Sequence, residues 1–176
     1  MKLPLVALIS SLFFVAIAAA DDAPKGVAPA ATAGAKVLQM MAGTWDEDVE
    51  FADGRIIHGT TKGRFVLDGN WLETESDLPV DDKNRVLHLA VWGWDEKASV
   101  FKGWMFSPAG APLEQTATYD EKEKSMTSNG KTATGASVKS VTRFISADRQ
   151  EWTVEIKDKE GKEVASFKGV NKRRKE

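Results

Sequence analysis

The feature that most constrains this chain is the rhythm of short β-forming segments running from about residue 43 to its end. Segments rich in Val, Ile, Thr, Phe and Trp recur between turn signals, and no sustained 3.6-residue apolar period interrupts them. Asp53-Gly54 lies between Val49-Glu50-Phe51 and Arg55-Ile56-Ile57. Asp68-Gly69 separates Arg64-Phe65-Val66-Leu67 from Trp71-Leu72, and Asn129-Gly130 follows Ser125-Met126-Thr127. Each pair accepts positive φ and suits a tight hairpin turn. Polar breaks at Asp95-Glu96-Lys97, Asp120 to Glu123, Ala147-Asp148-Arg149 and Asp158 to Lys162 divide the rest. The spacing predicts roughly ten strands in hairpin succession. With no helix long enough for a crossover, they run antiparallel and up-and-down. Such a series is expected to close into a barrel, because closure removes exposed edges. A sandwich of two open sheets has the same hairpin spacing and stands as the alternative. Trp152, Val154 and Ile156 alternate with Thr153, Glu155 and Lys157, the apolar-in, polar-out pattern of a strand with one buried face.

The first 20 residues read as a signal peptide. Lys2 precedes an apolar run from Leu5 to Ile17, and Ala18 and Ala20 occupy the small positions of a cleavage site before Asp21-Asp22. The run is too short to span a bilayer comfortably, and no later segment approaches the ~18 apolar residues of a spanning helix. The expectation is a chain released near Ala20 into the periplasm or the medium, with no transmembrane segment. Residues 21–35, rich in Ala, Pro and Gly, read as a flexible tether, and residues 36–176 as one domain. Val37 to Ala42 is amphipathic over one or two helical turns before Gly43. The chain contains no cysteine, so it folds on its core alone and has neither a thiolate nucleophile nor a Cys-ligated metal. Its formal charge of −2, or about −3 without Lys2, argues against a nucleic-acid partner.

Gly43-Thr44-Trp45, directly after the short helix, resembles the opening of the calycin barrels, lipocalins and fatty-acid-binding proteins among them. The resemblance implies that Trp45 closes one end of the barrel and stacks on a basic side chain near the last strand. Arg173 and Arg174 are the first candidates, and Arg143 a further one. Leu67-Asp68-Gly69-Asn70-Trp71-Leu72-Glu73, Trp92-Gly93-Trp94-Asp95 and Phe101 to Gly110 are similar, in order and spacing, to the bacterial DUF1579 family. That resemblance covers Leu38 to Val170. It implies a lipocalin-like barrel and supplies no established reaction. Haem-binding relatives with a G-T-W-x-G-x-G opening continue in glycines where this chain reads Asp46-Glu47-Asp48-Val49, so no cofactor is expected from the resemblance.

The chemistry-bearing residues are few. Of the two histidines, His58 and His88, neither stands at metal-ligand spacing, and no metal site is expected. His88 is the stronger candidate, because its strand is the more apolar. That strand is apolar on both faces: Val86, His88, Ala90, Trp92 and Trp94 on one, Leu87, Leu89, Val91 and Gly93 on the other. Such a strand faces a core or cavity on one side and a covering partner, a second copy of the chain for instance, on the other. Among six tryptophans, Trp71, Trp92 and Trp104 are expected to line a pocket for a small apolar or amphipathic ligand, with Glu73 and His88 beside them. Gly93 and Gly103 are expected to leave room between the rings. A second expectation is a hydrolase or isomerase using Glu73 or His88 as acid or base, Glu73 having like charges at Glu75 and Asp77 to raise its pKa. Gly130 to Ser137 has the spacing of a phosphate-binding loop, but Ala136 stands where the lysine belongs.

Overall fold

The computed structural model describes residues 32–81, 83–108 and 110–175. The stretch read as a signal sequence, and the expected tether as far as residue 31, lie outside the described residues. Ten antiparallel strands follow one another around a closed barrel: β1 (Gly43–Phe51), β2 (Ile56–Val66), β3 (Trp71–Pro79), β4 (Arg85–Asp95), β5 (Val100–Phe106), β6 (Leu113–Asp120), β7 (Ser125–Lys131), β8 (Ser137–Ser146), β9 (Arg149–Lys157) and β10 (Glu163–Arg173). β10 pairs back onto β1 through Trp45↔Arg173 to Phe51↔Phe167, which closes the sheet and excludes the sandwich. Among the described residues no helix is long and apolar enough to cross a membrane.

One of the three expected dipeptide turns is not a turn. Asn129 and Gly130 lie inside β7, paired with Lys139 and Val138, and the chain reverses beyond them with Gly135 at φ 86°. Gly130 serves close approach instead: a Cβ there would stand 2.5 Å from the Glu114 carbonyl oxygen. The hairpins at Asp53-Gly54 and Asp68-Gly69 form as the sequence indicates, with Gly54 at φ 83° and Leu67, Asp68 and Gly69 all in the left-handed region.

The helix α1 (Ala33–Met41) begins earlier than its apolar stripe suggests. The Thr32 hydroxyl caps it by accepting from Ala35 N–H at 3.1 Å, so residues 33–35 belong to the helix and not to the tether. Gly34 lies flat on Trp94, where a Cβ would meet ring carbons at 2.4 Å. Val37 and Leu38 point into the barrel and join Phe65, Leu72, Trp92, Phe101, Ala117, Met126 and Phe144 in the core that plugs this end. Leu38, Leu72 and Phe101 are essentially inaccessible, and each contributes roughly 1.5–3 kcal/mol by burial. A smaller apolar group, Val49, Ile57 and Leu78 with Phe51, Val86, Trp152 and Phe167, lines the other half of the barrel.

Candidate functional site

With α1 sealing one end, side-chain alternation decides what the remaining interior contains. Inward positions are odd on β1, β2, β5, β6 and β10 and even on β3, β4, β7, β8 and β9. They enclose a cavity of about 610 Å³. Met41, Trp45 and Trp92 lie toward its floor, and Ser107, Ala111 and Thr132 to Thr134, from loops at the end opposite α1, stand at its mouth. Val49, Ile57, Leu78, Val86, Val154, Ile156 and Phe167 make the walls apolar.

A polar belt crosses that apolar lining. On β1 to β3, Ser76 Oγ and Thr61 Oγ1 are 2.7 Å apart, and Thr61 donates to Glu47 Oε2 at 2.6 Å. His88 on β4 stands directly opposite Ser76 in the register. Across the barrel, Ser128 donates to Gln115 Oε1 at 3.0 Å, and the Trp152 indole N–H donates to Asn171 Oδ1 at 3.0 Å. Asn171 in turn pairs with Glu47. Among the described residues, no Lys or Arg lines the cavity, and its ionisable groups are Glu47 and His88.

Burial pushes the Glu47 carboxyl above the ordinary carboxylate range, with the hydrogen bond from Thr61 and the nearby Trp152 indole N–H pulling the other way. Burial lowers the His88 pKa, so its imidazole is neutral at neutral pH. The two act on stability with opposite sign. Glu47 binds its proton more tightly in the folded state, so its contribution is full below the unfolded value and is lost as pH rises through the folded one. The His88 contribution is present above the unfolded imidazole value and is lost as pH falls through the depressed one. Glu47→Gln is therefore expected to be more stable than the parent at pH 8, on the order of 1 kcal/mol. The two proteins should converge toward pH 4. Urea melts across that range read the difference, and a gap that does not vary with pH would refute the assignment.

The structure divides the residues expected to line the pocket. Trp92 and His88 face the cavity. Trp71, Glu73 and Trp104 do not, because Leu72, fully buried, fixes the even residues of β3 inward and sends the odd ones out. Trp71 lies outside across Gly93, its partner on β4, with its ring 5.8 Å from that of Trp104. Glu73 is ion-paired outside with Arg64 at 2.6 Å, which removes it as an interior acid. Neither glycine leaves a gap: Trp71 covers Gly93 and Trp92 covers Gly103. His58 is exposed and bonded to Asp48 at 2.7 Å. Among the described residues no helix covers the outer face of β4, and Leu87 with the neighbouring Phe106 is about 40% exposed (43% and 40%).

At the closed end the Arg173 guanidinium lies 4.0 Å over the Trp45 ring. Arg174 pairs outside with Asp46, and Arg143 lies on the outward face of β8. Glu47, Thr61, Ser76 and Asn171 were not expected in the site. A signal existed for Glu47: if Trp45 plugs the barrel, the residue two along its strand must also face in.

A closed ten-strand antiparallel barrel, helix-plugged at one end and hollow toward the other, is the lipocalin-like class of β-barrel. The chain belongs to the DUF1579 family, described as proteins of unknown function, whose model matches residues 31–173. An S-type phycobiliprotein lyase, CPES from Guillardia theta, superposes with a TM-score of 0.58 at 13% identity, over 83% of this chain and 95% of the lyase. A redesigned β-barrel does so with a TM-score of 0.47 at 10% identity, over 79% of this chain and 96% of its own. At such identities the likeness is one of fold. No curated protein matches the chain.

Proposed function

We propose that this protein is an exported carrier that binds a small amphipathic molecule inside its barrel. The observation that carries the reading is the cavity of about 610 Å³, apolar along its walls and crossed by a hydrogen-bonding belt, within the size range of small-molecule sites. Export rests on Lys2, the apolar run and Ala18-x-Ala20. The Trp92 and Trp152 rings line the cavity, whereas Trp71 and Trp104 lie outside, so binding should be legible in fluorescence. An apolar amphiphile titrated into the protein is expected to change Trp emission. Trp152→Phe should remove a substantial part of the change and Trp104→Phe very little. An unchanged response in Trp152→Phe, or no response to any amphiphile, counts against the reading.

A second reading rests on the outer face of β4 and β5, where Leu87, Phe106 and the Trp71–Trp104 pair form an apolar surface. A second copy of the chain covering it would make a homodimer. Native mass spectrometry of protein from its exporting host bears on both readings. A chain starting at Asp21 with a co-purified molecule supports the carrier, and a dimer peak supports self-association.

A further inference from the structure

Given the carrier reading, on which this inference rests, the cavity also says what kind of head group its ligand carries. We propose that the ligand is a cationic amphiphile, an amine with a single apolar tail, whose ammonium seats on Glu47 while the tail runs toward the mouth.

The argument begins with charge. Glu47 is only 7% exposed, and what it retains of free surface opens on the cavity. Thr61 donates its proton to one carboxylate oxygen and is itself bonded to Ser76, which fixes the carboxylate in place and leaves its remaining lone pairs for a donor from the cavity. No other side chain on the wall supplies that donor as a cation: among the described residues the lining has no Lys or Arg. His88, neutral through desolvation, does not replace one.

An anionic head, such as a fatty carboxylate or a phosphate, would meet a carboxylate and no counter-charge, and burying an unpaired anion is costly. A neutral head would find hydrogen bonds but leave the carboxylate uncompensated. An ammonium offsets the desolvation of Glu47 and donates a charge-assisted hydrogen bond to its carboxylate. The aromatic surroundings point the same way. Trp92 and Trp152 line this cavity, and indole rings attract ammonium groups. Burial already disfavours the charged form of Glu47, and a bound ammonium should bring its pKa back down.

The test compares dodecylammonium, dodecanol and dodecanoate, each below its micelle concentration, by displacement of a fluorescent probe from the purified protein. Dodecylammonium is expected to bind at least ~10-fold more tightly than dodecanol, with dodecanoate weakest. Glu47→Gln, isosteric and still able to accept from Thr61, should abolish the preference for amine over alcohol while dodecanol binding persists. Glu50→Gln, on the outward face of the same strand, should leave the preference intact, which separates the cavity from simple adhesion to an acidic surface. Equal or tighter binding of dodecanoate, or an amine preference that survives Glu47→Gln, overturns the inference and leaves the carrier reading standing. Failure of all three compounds to bind overturns the carrier reading, and this inference with it.

Discussion

Trp45→Ala is expected to destabilise the protein by about 3–5 kcal/mol, the range for deleting a fully buried tryptophan, and to lower the melting temperature by roughly 6–20 °C. The reason is that several unrelated needs converge on this side chain. Trp45 is 1% exposed, and its indole N–H donates to the Met41 carbonyl at 3.1 Å. That carbonyl is one of those at the end of α1 that no helical N–H can reach. Strand side chains take the neighbouring ones as well: Gln150 Nε2 donates to Met40 O at 2.8 Å, and Arg173 Nη1 to Ala42 O at 2.7 Å. Arg173 also brings a positive charge to the negative end of the helix dipole and lies over the indole ring. Without the indole, the helix end loses a hydrogen-bond donor and Arg173 loses the surface it packs on, while a void opens beneath α1. Arg173→Lys keeps the charge but not the planar fork, and should cost about 1–2 kcal/mol. Arg174→Ala, which breaks only an exposed pair with Asp46, should change little. Thermal and urea melts of the three variants decide it. Equal effects at Arg173 and Arg174 would show that the stacked cation is not what holds the helix.

How much of this was legible in the sequence depends on whether a signal was local. Turn residues are local. Asp53-Gly54 and Asp68-Gly69 demand positive φ where they stand, so those hairpins and the strand order could be read directly. Asn129-Gly130 offers the same pair of letters for a different reason. Gly130 is small because the Glu114 backbone comes within reach of its missing side chain, a contact made by β6 that no local pattern reveals. The helix start was hidden in the same way. Ala33-Gly34-Ala35 has the composition of a linker, and Gly34 is required only because Trp94 lies beneath it. Trp45 and its stacked arginine were accessible through resemblance to other barrels, since periodicity alone does not pair two residues at opposite ends of a domain.

The site was only half legible, and the cause is the faces of β3, β4 and β5. Tryptophan and glycine occur on both sides of these strands, and shifting the assignment by one residue exchanges core for surface. Trp92 and His88 fall inside while Trp71, Trp104 and Glu73 fall outside. The deciding fact is that Leu72 and Phe101 are buried at the plugged end. Glu47 was overlooked because an acid beside Asp46 and Asp48 reads as part of a solvated run. Only the strand period counted from Trp45 separates it from its neighbours.

That inside-outside distinction carries the other large effect. Gly103 stands opposite Trp92 on the cavity side, and a Cβ there would lie 2.4 Å from the indole. Gly93 stands opposite Trp71 on the outer side, where a Cβ would lie 2.5 Å from that ring. The two crowded contacts are nearly identical, and their consequences are not. In Gly103→Val the Trp92 ring, 7% exposed and packed against the plug, has no free space except the cavity itself. Overpacking should cost about 2–3 kcal/mol, and the displaced indole should block the cavity floor and abolish amphiphile binding. In Gly93→Val the Trp71 ring can swing into solvent, giving up its contact with Trp104 at a cost of about 1 kcal/mol, with binding unchanged. Trp92→Leu combined with Gly103→Val should recover at least about 1 kcal/mol relative to the sum of the single variants, because the clash disappears with the ring. Urea denaturation and probe displacement on the four variants read both consequences. If Gly93→Val suppressed binding and Gly103→Val did not, the inward faces of β4 and β5 would be the reverse of those described, and Trp71 and Trp104 would line the cavity after all.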